Sequence, residues 1–307
     1  MKNEQEIILQ VQEDKLYATL AIPEHHNGTA VLLVPGSGQV DRHGNSTKLH
    51  MNVYKDLADL LNNAGLITLC FDKRGAGKSE GNYLKSGVWD FINDARHWLE
   101  YLQNHSLVER IVVIGHSEGA ITGPAILKEK DVNGFVFLCG SFDEGKELLD
   151  YQNIKIKEEI SKATGMKGFI FKLLNINKKI EKQTKKFHEV LYSNTEDVIK
   201  YKGTKLNAKW LREFQNYKIK DYTQYVPSHS LAVEGGKDVQ VRPGSARDFA
   251  ANTGAETKIY SDMNHLLRRR LNEHSLLNLK KEYKYSKKND DMHLEMINNL
   301  IRFIKNC

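Results

Sequence analysis

Four short, largely apolar runs, at residues 30–35, 66–71, 110–114 and 134–139, constrain the fold of this chain more than any other feature. Ala30-Val31-Leu32-Leu33-Val34-Pro35 has no polar residue in it and ends at a glycine turn, Gly36-Ser37-Gly38. A strand with one wet face alternates apolar and polar residues, whereas an unbroken run fits a strand covered on both faces. Helical patterns separate the runs, at about residues 50–64, 88–104 and 120–128. In the first of these Tyr54, Leu57, Leu60 and Leu61 share a face, and Gly65 supplies the stop. Strand and helix in repeated alternation make a mainly parallel central sheet with helices on both faces, an α/β fold. Residues 6–11 and 16–22 read as an antiparallel pair leading into it.

The rhythm breaks after residue 142. Residues 143–225 show no convincing strand and read as several inserted helices. Strand and helix patterns then resume at 229–234, 243–252, 257–260 and 293–304. The chain thus divides into a core at 1–142 and 226–307 and an inserted helical cap at 143–225. Residues 266–289 are strongly charged and are expected to form an excursion or a mobile loop. The net charge is +6, and residues 146–221 alone hold 18 lysines and arginines against 10 aspartates and glutamates. The whole excess therefore sits in the insertion, as a solvated helical surface or as an attractor of acidic ligands or membrane headgroups. No aromatic interleaving or nucleic-acid motif accompanies those lysines, so nucleic acid is not an expected partner.

With 40% hydrophobic and 27% charged residues the composition is that of an ordinary globular chain. No apolar run approaches the ~18 residues of a membrane span, and the polar, acidic start does not read as a signal peptide. Cys70, Cys139 and Cys307 have neither disulfide nor metal-ligand spacing, which suits a reducing, cytoplasmic setting.

Gly115-His116-Ser117-Glu118-Gly119 lies between one buried strand and the helix that follows it. A serine there occupies a sharp, strained turn that lifts its hydroxyl above the sheet, with glycines letting strand and helix approach. A serine hydroxyl is a weak nucleophile; it needs a base, and the base needs an orienting carboxylate. Asp238 follows the strand ending at Glu234, and His265 follows the strand ending at Tyr260, both where open α/β sheets place their sites. The expected assignment is Ser117 as nucleophile, His265 as base then acid, and Asp238 as carboxylate. Asp143 is the competing acid, and Asp262 is too near His265 in sequence to reach its ring. Among other histidines, His116 should point away from Ser117, His229 opens a strand, and His274 and His293 lie in polar surroundings. The backbone N–H groups of Ser37 and Glu118 are the candidate oxyanion donors.

Two look-alikes are set aside. Gly75-Ala76-Gly77-Lys78-Ser79 lacks the leading glycine of a phosphate loop, having Asp72 there, and Gly36-Ser37-Gly38 has Asp41 where a dinucleotide fingerprint needs its third glycine. No nucleotide cofactor and no metal are expected.

The stretch from Pro35 through Gly36-Ser37-Gly38-Gln39-Val40-Asp41-Arg42-His43-Gly44 to Asn45 carries a resemblance. So do Asp72-Lys73-Arg74-Gly75-Ala76-Gly77-Lys78-Ser79 and the Ser117 turn. Over nearly its whole length the chain resembles the α/β-hydrolase superfamily, and within it the serine esterase and serine aminopeptidase-like branch with a helical cap. The resemblance implies Ser117, Asp238 and His265 as a triad, with an oxyanion donor at Ser37. It implies hydrolysis of a small-molecule carboxylic ester through an acyl-enzyme. An acyl-CoA thioesterase, a peptidase and a non-catalytic binding protein are the alternatives. Two departures stand out: Pro35 replaces a histidine common before the first glycine, and 266–289 is longer and more basic than expected. Phe169, Ile170, Phe171, Leu173 and Leu174 could line a substrate pocket, but the core of the cap is the expected place for them.

Overall fold

The computed structural model describes residues 2–272 and 275–307, so His274 lies outside the described residues. The first part of the chain runs β1 (Lys2–Val11), β2 (Asp14–Pro23), β3 (Thr29–Val34), a minute hairpin of β4 (Asn45–Ser46) and β5 (Leu49–His50), α1 (Val53–Asn63) and β6 (Ile67–Phe71). It continues with α2 (Val88–Gln103), β7 (Arg110–His116), α3 (Glu118–Ile126) and β8 (Gly134–Leu138). Residues 143–225 hold α4 (Gly145–Lys162), α5 (Gly165–Leu173), α6 (Ile176–Tyr192), β9 (Val198–Tyr201), β10 (Thr204–Asn207) and α7 (Ala208–Asn216). The last part is β11 (Ser230–Gly235), α8 (Ser245–Thr253), β12 (Glu256–Tyr260), α9 (Leu279–Asn289) and α10 (Leu294–Lys305).

Eight strands form the main sheet in the order β1-β2-β6-β3-β7-β8-β11-β12. Only the β1–β2 and β2–β6 pairings are antiparallel. From β6 to β12 every neighbour is parallel. Successive residues of a strand point to opposite faces, and that period of two sorts each apolar run between two cores. Ala30, Leu32, Val34, Ile111, Val113, Phe135 and Phe137 pack with α2, α3 and α8. Val31, Leu33, Val112, Ile114, Val136 and Leu138 pack with α1 and α10. Trp98 of α2 is the largest side chain fully enclosed. Burial on both faces is why these runs show no polar alternation.

Two expectations fail. Residues 143–225 do contain strands: β9 and β10 pair antiparallel around Lys202-Gly203. Lys202 and Gly203 both have positive φ, +48° and +82°, as a two-residue hairpin turn requires. Lysine is an uncommon choice there, so the turn carries little sequence signal. Residues 266–289 are not a loop throughout, because they end in α9. Buried arginines fasten this stretch: Arg270 pairs with Glu282 (3.1 Å) and Asp290 (3.4 Å), and Arg268 pairs with Asp56.

Candidate active site

Ser117 sits between β7 and α3 with φ +56° and ψ −117°, outside the comfortable range of an L-residue. Its flanking glycines are forced by space. A Cβ on Gly115 would lie 2.2 Å from the Gly119 carbonyl oxygen, and one on Gly119 would lie 2.3 Å from that of Val34. Any side chain there would push α3 away from the sheet.

The structure brings together the three residues singled out from sequence. His265 Nδ1 lies 2.6 Å from Asp238 Oδ2, and His265 Nε2 lies 3.1 Å from Ser117 Oγ. Facing a carboxylate, Nδ1 carries the proton of a neutral ring. Nε2 is then free to accept from the serine hydroxyl. The other Asp238 oxygen accepts the N–H groups of Gln240 (2.8 Å) and Val241 (3.3 Å), which fixes the carboxylate plane. The competing acids are engaged elsewhere. Asp143 holds Arg242 at 3.0 Å and accepts from Ser141 Oγ at 2.8 Å. Asp262 holds Arg269 at 2.8 Å and His293 at 3.0 Å. His293 is buried, and its Nδ1 caps α10 by accepting the Met296 N–H.

Two further groups escaped the sequence reading. The first is a relay behind the serine. His116 Nε2 faces the carbonyl of His265 at 2.9 Å, and Nδ1 faces Tyr54 Oη at 3.0 Å. Burial, and then the neighbouring His265 ring, pull the His116 pKa from 6.5 down to about 3. The ring is therefore neutral, Nε2 carries its proton, and Tyr54 donates to Nδ1. Tyr54 Oη in turn accepts the Gly36 N–H at 2.6 Å. Burial also pushes the Tyr54 phenol up, which keeps its proton in place. Tyr54 was legible only as part of an apolar helix face.

The second is a buried ion pair. Lys73 Nζ reaches Glu118 Oε1 at 3.0 Å and the Gly36 carbonyl at 3.2 Å, over the Phe91 ring at 4.4 Å. The side chains of Lys73 and Glu118 are only 3% and 5% exposed. The peptide that Lys73 grips carries the Ser37 N–H, and the carboxylate it grips belongs to the residue whose own N–H follows Ser117.

The motif stretches also turn out to be a brace. Arg42 spans to the buried Asp72 through its backbone N–H (2.7 Å) and its guanidinium (2.6 Å), while the Lys78 N–H caps the same carboxylate at 3.0 Å. The phosphate-loop look-alike is thus folded around a carboxylate.

Two cavities meet at Ser37, Ser117 and Gln240. The larger, ≈ 260 Å³, lies on the His265 side with Leu49, Met51, Val53, Leu266 and Tyr283. The smaller, ≈ 60 Å³, is walled by Ile121 of α3, Leu148 and Leu149 of α4, and Trp210 and Phe214 of α7. Among the described residues, Glu118 is the only carboxylate, lysine or arginine lining either cavity. Phe169, Ile170, Phe171, Leu173 and Leu174 line neither cavity and are not part of the apolar cluster buried within residues 143–225. That cluster is Leu191, Ile199 and Ala208, with Phe187 and Leu211 against it.

A parallel sheet with a strained serine turn, and a histidine and an aspartate past its later strands, defines an α/β hydrolase. The chain belongs to the serine aminopeptidase (S33) family of that fold, whose pattern matches residues 43–273. It is similar to the esterase EstD of Thermotoga maritima, at 23% identity over 242 residues, 78% of this chain and 54% of that protein. The chain thus spans about half the length of that curated relative. Among solved structures it is similar to Est1E from Butyrivibrio proteoclasticus with ferulic acid bound (17% identity, 91% and 96% of the two chains, TM-score 0.57). It is also similar to the Pyrococcus furiosus esterase Pf2001 (15% identity, 99% and 92%, TM-score 0.58). A third is the α/β hydrolase GrgF from Penicillium sp. sh18 (13% identity, 99% and 98%, TM-score 0.62).

Proposed function

We propose that the protein hydrolyses small, uncharged carboxylic esters through an acyl-enzyme. Ser117 Oγ attacks the ester carbonyl while His265 Nε2 takes its proton. The tetrahedral oxyanion is received by the N–H groups of Ser37 and Glu118, which have no protein acceptor among the described residues. The imidazolium then protonates the leaving alcohol as the C–O bond breaks, leaving Ser117 acylated. Water attacks the acyl-enzyme as His265 again takes the proton, and the acid product leaves with the serine restored. Asp238 holds the ring in the productive tautomer. Lys73 keeps both donors in place by gripping the Gly36–Ser37 peptide and the Glu118 carboxylate together.

The observation that carries this reading is the Asp238–His265–Ser117 chain of contacts at a strained turn. The named esterases among the relatives support it. The proton must reach the leaving oxygen from His265, so the alcohol occupies the larger cavity, on the histidine's side. The acyl group occupies the smaller one, under α4 and α7, which serve as the cap. A neutral ester suits the lining better than an aminopeptide does, because a free ammonium would need a carboxylate and the only one present is held by Lys73. Three unpaired thiols, two of them buried, suit a reducing, cytoplasmic setting.

The test is intact mass after treatment with a fluorophosphonate, for the wild type and for Ser117→Ala. One adduct is expected on the wild type and none on the variant. A folded wild type without an adduct would refute the reading.

A further inference from the structure

Met166, Phe169, Ile170 and Leu173 recur along α5 at positions i, i+3, i+4 and i+7, the spacing of a stripe made to be covered. Such a stripe ordinarily faces the core. Here the four are 81%, 67%, 43% and 72% exposed, and Leu174 adds another apolar side chain at the helix end. An uncovered apolar patch of this kind marks an interaction surface.

The charge around the stripe selects the partner. Lys172 on α5 and Lys178, Lys179, Lys182, Lys185 and Lys186 on the adjoining α6 are all exposed. Against them α6 offers only Glu181 and Glu189, and Glu181 is drawn to Lys157 of α4 at 3.2 Å. A second copy of this chain would bring the same lysines face to face and be repelled. Nucleic acid would satisfy the lysines but leave the stripe in water. A bilayer with anionic headgroups satisfies both, because a short amphipathic helix lies in its interface with apolar residues toward the acyl chains and cations on the headgroups.

We infer that α5 is a reversible lipid-docking element, with the α6 lysines as its electrostatic partner. No described helix is long and apolar enough to cross a membrane. The neighbouring helix α4 supplies Leu148 and Leu149 to the cavity beside Ser117, which sets the docked surface one helix away from the site. The inference does not depend on the hydrolytic reading.

Co-sedimentation of the full chain with vesicles tests it, using phosphatidylcholine alone and equal parts phosphatidylcholine and phosphatidylglycerol. Binding to the anionic vesicles is expected, with little to the neutral ones, and with loss at high salt. Phe169→Ser/Leu173→Ser should weaken partitioning by about tenfold or more, as should Lys178→Gln/Lys179→Gln/Lys182→Gln at low salt. Unchanged thermal unfolding establishes that both variants are folded. Equal binding to neutral vesicles, no binding, or binding unaffected by these substitutions would overturn the inference. So would a wild-type dimer in light scattering that Phe169→Ser/Leu173→Ser abolishes, since the stripe would then belong to a second copy.

Discussion

The surroundings of Ser117, at the carboxyl end of the central strand β7, and the α5–α6 arm are built on opposite plans. Around Ser117 the charged groups are buried and almost all answered: Asp238 by His265 and two backbone N–H groups, Lys73 by Glu118 and Gly36, Asp72 by Arg42. On α5 it is the apolar groups that stand uncovered, with the charges beside them in water. The first region is finished by folding alone. The second is finished only by something outside the chain. Substitutions should therefore cost rate and stability in the first region, and in the second only attachment.

The largest effect is expected at Ser117. Ser117→Ala should lower ester turnover by about 10⁴- to 10⁶-fold with the fold intact, measured as kcat on a short aryl ester. Lys73→Met comes next. It should lower kcat by about 10²-fold, with a smaller change in KM, because the donors it holds act on the transition state. Leaving Glu118 buried and unpaired should also cost about 3–5 kcal/mol in urea unfolding. Lys73→Met/Glu118→Leu should recover part of that stability and little of the rate. A Lys73→Met variant with normal kcat would remove Lys73 from the mechanism.

The relay gives a pH signature. The folded His116 pKa, about 3, lies below the 6.5 of an unfolded chain, so the unfolded state binds the extra proton between those values. Its contribution to stability is whole above pH 6.5 and is lost as the pH falls toward 3. Urea unfolding from pH 6 to 4 should lose about 1.4 kcal/mol per pH unit more in the wild type than in His116→Asn. Equal slopes would mean that the ring is charged or open to water.

Trp210→Ala should widen the smaller cavity and raise kcat/KM for longer acyl chains by about tenfold relative to acetyl, read across a series of aryl esters. If the gain appears instead with larger alcohols, the two cavities exchange roles. The smallest effect belongs to the arm, where Phe169→Ser/Leu173→Ser should shift stability by no more than about 0.5 kcal/mol.

The sheet and the Ser117 turn were legible because physics leaves few residue types for them. A strand buried on both faces is apolar along most of its length, and the turn admits only glycine at 115 and 119. Asp238 and His265 were legible from chain order past strand ends. Lys73 and Tyr54 were not, since their partners lie 45 and 62 residues away and no local pattern ties them together. α5 shows a third case. Its apolar cluster was plain in the sequence, but a cluster does not give the direction it faces. The expectation of a cap core placed it inward, where Leu191, Ile199 and Ala208 already fill the space.

The relay from Gly36 through Tyr54 and His116 to His265 can be wired in only one sense, since each acceptor has a single donor to meet. The His116 ring is therefore locked in one tautomer wherever it is neutral. Its Nε2 proton trades places with solvent only when the loop after β12 that carries the His265 carbonyl lifts away. That one proton keeps time for the site: its exchange rate, read from the imidazole resonance, counts how often this loop opens.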